Sequence, residues 1–219
     1  MAQADGVWAL DSSGNIFHAG KSGAAWTFSQ VPGSLDLIQV GPGYQEGCHP
    51  YEVWGLNTSS QIYRYNFCTS NFDQEPGSLC DIHVGGAGIW GADCGPDVFS
   101  FNFYTGSFDL IHSQFESSTE LAVGPNTVWA INTSHYEAYA RGDLDEGWFA
   151  TPQGTGMYQI QAGGNGVWGL CGSGEIYRWE PTIQSTVQVP GALVSLSVGS
   201  GGGVWGIDSS HNVFRFTTP

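Results

Sequence analysis

Apolar and polar residues alternate in short runs along this chain, and nowhere do apolar positions recur at the 3.6-residue spacing of an amphipathic helix. The runs are rich in Val, Ile, Trp, Tyr and Phe, which suit a pleated, half-buried surface, and turn residues separate them about every 8–12 positions. One run returns again and again around a tryptophan: GVWALDSSGNIFHA, EVWGLNTSSQIYRY, GIWGADCGPDVFSF, TVWAINTSHYEAYAR, GVWGLCGSGEIYRW and GVWGIDSSHNVFRF. The anchors Trp8, Trp54, Trp90, Trp129, Trp168 and Trp205 follow one another by 46, 36, 39, 39 and 37 residues. That period fits propeller blades or helical solenoids, and the strand-forming residues select the blades.

Each unit holds a Trp-bearing run, a polar turn such as DSSGN, NTSSQ or DSSHN, and a second run containing Ile-Phe, Ile-Tyr or Val-Phe. Two further runs lie between units. One is loosely aromatic (25–31, 71–74, 107–112, 146–150, 186–189), and the other reads PGSLDLIQVG, PGSLCDIHVG, SSTELAVG, GTGMYQIQAG and PGALVSLSVG. Four strands per repeat predict an all-β, six-bladed β-propeller forming one domain over 1–219. Only five copies of each intervening run are present, so the expected ring closes on an incomplete pair. A five-bladed ring with a spare hairpin is the alternative.

Charge narrows the partners. Five Lys and Arg stand against 20 Asp and Glu, a formal net charge of −15, so neither nucleic acid nor an anionic membrane suits this surface. Charged residues make up only 11%, against roughly a quarter in typical domains, and a neutral ligand fits best. No apolar run reaches the roughly 20 residues of a membrane span. The first residues, MAQADGVWAL, lack a basic and apolar leader, so a cytoplasmic location is expected. Cys48, Cys68, Cys80, Cys94 and Cys171 are irregularly spaced and odd in number, which reads as buried or loop thiols in a reducing compartment.

Catalytic and metal signals are weak. The six His residues show no HExxH-like spacing, the cluster Asp143, Asp145 and Glu146 reads as a solvated loop, and no metal or cofactor is expected. Arg64, Arg178 and Arg215 share one repeat position, so a ring spreads them apart, and they cannot converge on one carboxylate as a sialidase needs. The same Trp, small residue and Asp or Asn recur instead around the ring. A catalytic centre is one asymmetric constellation, whereas repeated equivalent sites serve multivalent recognition, in which linkage raises avidity about 10²–10⁴-fold. The expected protein is a binder and not an enzyme, and a protein-interaction propeller is one alternative for what it binds.

Each singled-out residue has two readings. A buried indole covers roughly 150–250 Å², worth at most about 4–6 kcal/mol, so the six Trp could be cement between blades. They could equally stack on a ligand. Asp11, Asn57, Asp93, Asn132 and Asp208 open the turns, where their side chains cap backbone N–H groups or contact sugar hydroxyls.

The repeat PGxLxxIxVGxxGxVWG followed by Asp or Asn, with Ile-Tyr/Phe-Arg after it, resembles the tectonin family across the whole chain, repeats 2, 5 and 6 most fully. Repeat 4 has an extra turn residue, repeat 5 has Cys171 for the Asp or Asn, and repeat 3 has Ser100 for the Arg. The resemblance, to mushroom tectonins above all, implies a multivalent lectin for O-methylated glycans of bacteria or nematodes, acting in innate defence. Sugars are expected in grooves between adjacent blades, where equivalent residues of two repeats meet, with Trp8, Trp54, Trp90, Trp129, Trp168 and Trp205 stacking and Asp11, Asn57, Asp93, Asn132 and Asp208 binding hydroxyls. Unpaired edges at the ring's closure imply a homo-oligomer.

Overall fold

The structure is a computed structural model that describes residues 6–22, 25–43, 51–113, 119–132, 137–141, 149–150, 156–199 and 201–217. The described residues form antiparallel sheets in chain order, with no helix among them. Sheets two to five are complete four-stranded blades. In the second, the strands Leu37–Pro42, Tyr51–Leu56, Gln61–Asn66 and Asn71–Ser78 run from hub to rim. The first sheet has only Gly6–Leu10, Asn15–Ser22 and Ala25–Ser34, and so lacks an inner strand. The sixth has Ser195–Val198, Val204–Ile207 and Val213–Arg215, and lacks an outer one.

The strands fall where the repeat puts them, but the described residues do not close a six-bladed ring. Extensive contacts join each sheet to the next, which gives five blade-to-blade interfaces, and among the described residues no comparable contact joins the sixth sheet to the first. The two three-stranded ends are the reason. Each lacks a strand of the face or edge through which a neighbour would be held.

The interfaces repeat one device. Trp8, Trp54, Trp129 and Trp168 point forward into the next sheet and meet its aromatic side chains: Trp8 meets Tyr65 at 4.6 Å, Trp54 meets Phe101 at 4.7 Å, Trp129 meets Trp179 at 5.0 Å and Trp168 meets Phe216 at 4.7 Å between ring centroids. Aromatic pairs at such edge-on angles add about 0.5–1.5 kcal/mol beyond area burial. The residue before the Trp, such as Val53, Ile89 or Val167, points back and is buried against the preceding sheet. Across the strand pair, Trp54, Trp168 and Trp205 face Arg64, Arg178 and Arg215. Arg64 lies 5.5 Å over Trp54 and is also held by the fully buried Glu52 through bonds of 2.9 and 2.7 Å.

At the hub, the inner strands are stitched by side chains. Asp81 accepts from the Leu121 N–H at 3.4 Å, Glu120 from the Ile160 N–H at 3.2 Å, and Gln159 from the Leu196 N–H at 3.0 Å. Each link runs from one blade to the backbone of the next. His83 donates to or accepts from Asp81 at 3.1 Å. Burial works against the Asp81 charge, but His83 outweighs it and holds the carboxyl below its usual range. Burial also opposes the His83 charge, yet Asp81 raises it. Glu120, with no such cation in contact, is pushed up to about 7 by burial, and the nearby Asp81 charge adds to the rise.

Two cysteine expectations change. Cys80 and Cys94 form a disulfide with Cα atoms 5.1 Å apart, and Cys68 is disulfide-bonded as well. The sequence spacing hid this because Cys80 lies in the connector entering the third blade and Cys94 in that blade's first turn, and the fold lays these two segments side by side. Cys171 is a buried thiol, as expected of it.

Candidate functional site: the groove between the fifth and sixth sheets

The polar turns come first, because they carry half of the expected site residues. Asp11 Oδ1 accepts from the N–H groups of Ser13 and Asn15, both at 2.9 Å. Asn57 does the same for Ser59 and Gln61 at 3.0 Å, Asp93 for Gly95 and Asp97 at 2.8 and 3.0 Å, and Asp208 for Ser210 and Asn212 at 2.9 Å. The Asn15 amide donates to Asp11 Oδ2 and holds its carboxyl below the usual range, and Asn212 does the same for Asp208. These four are turn caps, each with one side-chain oxygen engaged by two backbone N–H groups. The side chain of Asn132 lies outside the described residues. The fourth residue of the turns begun by Asp11, Asn57 and Asp208 takes positive φ, at Gly14, Ser60 and His211, as does Gly174 in the turn begun by Cys171.

The Trp expectation is corrected for five anchors. Trp8, Trp54, Trp90, Trp129 and Trp168 are buried, at most 9% exposed. Their indole N–H groups are satisfied inside the protein: Trp8 by the Tyr51 hydroxyl, Trp54 by Glu52, Trp90 by the Ala87 carbonyl, Trp129 by Thr127 and Trp168 by the Asn165 carbonyl. Covered by the next blade and by neighbours in their own, as Trp8 is by His18 and Trp54 by Arg64, these buried rings offer no surface for stacking on a sugar. Trp205 differs, being 48% exposed.

A groove of about 270 Å³ opens between the fifth and sixth sheets. Its walls are Tyr158, the turn Gly172, Ser173 and Gly174, the connector Ala192, Leu193 and Val194, and Ser209 of the sixth sheet's turn. The connector is fixed in place because the Leu193 N–H donates to the Gly174 carbonyl at 3.0 Å and the Val194 N–H to the Ile207 carbonyl at 2.7 Å. Leu193 itself sinks beneath the groove against Gly206, where a Cβ would lie 2.3 Å from Leu193 Cδ1. Tyr158 is 36% exposed and Val194 53% exposed. Burial, with Cys171 and two carboxylates contributing after it, pushes the Tyr158 phenol up, so it stays a neutral hydroxyl at physiological pH.

Among the described residues, no charged side chain lines this groove. It offers one aromatic face, small apolar walls, two serine hydroxyls and turn backbone, which suits a neutral, hydroxyl-bearing ligand. The repeat equivalents are different. Between the second and third sheets, the positions of Val194 and Ser209 are taken by the bonded Cys80 and Cys94, and Ser60 Oγ lies 3.6 Å from Cys80 Sγ. Sequence reasoning missed Tyr158. Its signal was available in the alignment of the PGxL runs, where Tyr158 stands at the position of Asp36, Cys80 and Val194.

Fold and groove together define a repeat-built β-propeller of the kind that serves as a lectin or as a protein-interaction platform. The Tectonin domain matches residues 103–219, just over half of the sequence, and the chain belongs to that family. No curated protein matches it. Among solved structures, one described as "YCF48 bound to D1 peptide" matches with a TM-score of 0.66 over 97% of this chain and 79% of its own, at 11% identity. At that identity the likeness is one of fold alone.

Proposed function

We propose that this protein is a lectin that binds a neutral glycan in the groove between the fifth and sixth sheets. The observation that carries the reading is the exposed face of Tyr158 set opposite small polar turns from two adjacent blades, without a charged wall. The Tyr158 ring stacks on the sugar's apolar face. Ser173, Ser209 and the backbone of residues 172–174 exchange hydrogen bonds with hydroxyls. Ala192 and Val194 form an apolar wall suited to an O-methyl group, which supports the O-methylated glycans of bacteria or nematodes as the ligand class and innate defence as the role. Burying one methyl is worth about 0.8 kcal/mol. A free hydroxyl against the same wall loses its water partners at about 1–3 kcal/mol. Together these give a preference of roughly 20- to 600-fold.

The test is a glycan array followed by titration of a methylated monosaccharide against its unmethylated parent. Tighter binding of the methylated sugar supports the reading, equal binding leaves a lectin without a methyl pocket, and binding to neither removes it. The second reading, a protein-interaction propeller, draws on the peptide-bound propeller of like fold. Capture of a single protein without any glycan signal would favour it.

A further inference from the structure

The Cys80–Cys94 bond stands where the repeat elsewhere puts groove walls, and the backbone there does not depend on it for its course. The connector into the third sheet is held by the Leu79 N–H on the Ser60 carbonyl at 3.0 Å and the Cys80 N–H on the Ala92 carbonyl at 2.8 Å. The same pair of bonds recurs without sulfur: Leu35 to Gly14 and Asp36 to Leu56, and again Leu193 to Gly174 and Val194 to Ile207. Leu79 also sinks against Gly91 as Leu193 does against Gly206. The disulfide adds stability to a frame that the repeat builds in any case, so the frame persists when the S–S bond opens.

The bond is open to attack, and its two sulfurs differ. Cys80 and Cys94 are both exposed. An attacking thiolate joins one sulfur and expels the other, and the sulfur that better carries the negative charge leaves faster. Ser60 Oγ lies 3.6 Å from Cys80 Sγ, in a turn that Asn57 fixes by accepting from Ser59 and Gln61. That hydroxyl donates to a thiolate formed on Cys80 and stabilises it. Asp81, beside Cys80 in sequence, is itself paired with His83. Cys94 sits in the turn between Asp93 and Asp97, whose carboxylates oppose a further negative charge, and Asp93 already takes the Gly95 and Asp97 N–H groups.

We propose that Cys80–Cys94 is a reversible thiol–disulfide exchange site for an external thiol, attacked at Cys94 with Cys80 leaving. The incoming thiolate forms an S–S bond to Cys94 Sγ as the Cys80–Cys94 bond breaks, and the electron pair departs on Cys80, where the Ser60 hydroxyl holds it. The product is a mixed disulfide on Cys94. With a dithiol, the second thiolate of the reagent then displaces Cys94, which takes up a proton, so the protein bond is reduced and the dithiol is oxidised to its own disulfide. Asp36 stands in this groove at the place of Tyr158 and, with Asp93 and Asp97, surrounds the bond with negative charge. The site therefore takes cationic or neutral thiols ahead of anionic ones.

The experiment exposes the folded, oxidised protein to cysteamine or to 2-mercaptoethanesulfonate at equal thiolate concentration, with acid quenching at early times and peptide mass spectrometry to place the mixed disulfide. The wild type is compared with Ser60→Gly, a change the backbone accepts because Ser60 has a φ of 61° and glycine holds the same turn position at Gly14 and Gly174. The adduct is expected first on Cys94, several-fold faster with the cationic thiol, and several-fold slower in Ser60→Gly with an unchanged far-UV spectrum. An adduct first on Cys80, equal rates for the two reagents, or equal rates for wild type and Ser60→Gly overturns the proposal. So does a bond that reacts only once the protein melts. A second measurement needs no exchange: iodoacetamide alkylation against pH is expected to show the Cys80 thiol of Cys94→Ser ionising at lower pH than the Cys94 thiol of Cys80→Ser. The reverse order overturns the assignment of the leaving sulfur.

Discussion

Leu35 occupies the space that a side chain on Gly55 would need: a Cβ there would stand 2.4 Å from Leu35 Cδ1 and 2.7 Å from the Leu37 carbonyl oxygen. The pairing recurs as Leu79 with Gly91, Met157 with Gly169 and Leu193 with Gly206. Alanine replaces the glycine at Ala9 and at Ala130, where the connector position is Ser118. Gly55→Ala is expected to destabilise by about 1–3 kcal/mol through overpacking, because one of the two close neighbours is backbone. Pairing it with Leu35→Ala should recover part of that loss if the clash is the cause. Denaturant melts of the single and double variants decide it.

Glu120 should give the stability curve a slope of its own. Its folded value of about 7 lies above the ordinary 4.5, so the folded state holds the proton longer, and this group's contribution falls as pH rises from about 4.5 to 7. Asp81, lowered in the fold, contributes stability above its ordinary range that is lost as pH falls. His83, raised, contributes below about 6.5 and loses it as pH climbs through its folded value. Glu120→Gln imitates Gln159, which both accepts from and donates to Leu196. It is expected to raise stability on the order of 2–3 kcal/mol at pH 8, with little gain at pH 4. Melting temperatures across that range check the prediction.

Asp208→Ala removes the acceptor of two backbone N–H groups in the last turn. A modest loss of stability is expected from the lost cap. Asp208→Asn, which keeps an acceptor oxygen as Asn57 does, should recover most of it. Sugar stoichiometry that drops with stability unchanged would return Asp208 to the ligand.

The Cys80–Cys94 bond closes a loop over a sequence separation of 14. The chain-entropy account assigns about 3 kcal/mol to a loop of this length. Cys94→Ser should lower the midpoint accordingly and remove most of the sensitivity that this turn shows to a reductant. A wild type whose midpoint is identical with and without reductant would mean that the bond does not form.

Tyr158→Ala tests the groove with little effect on folding, since the ring is 36% exposed. Glycan binding is expected to fall by tenfold or more, while Tyr158→Phe, which keeps the stacking face, retains most of it. A melting loss above about 1 kcal/mol with binding unchanged would make Tyr158 a packing residue.

The sequence by itself determined the strands, their order and their repeat. Period-2 alternation, turn residues and the Trp motif are local signals, and each strand forms where they point. The caps were legible for the same reason: an Asp or Asn and the N–H groups it accepts lie within four residues. Ring closure was not legible, because it depends on whether the forward face of Trp205 meets the face of Val7, and no local pattern reports a meeting between residues nearly 200 positions apart. Nor could the motif say that five indoles are packed away while a tyrosine outside it stays exposed. Burial is set by the neighbouring blade: the same Trp strand is covered five times and bare once. Tertiary packing also brought Cys80 beside Cys94 and set Tyr158 across from Ser209, since the connector and the turn of adjoining blades become neighbours only when the blades stack.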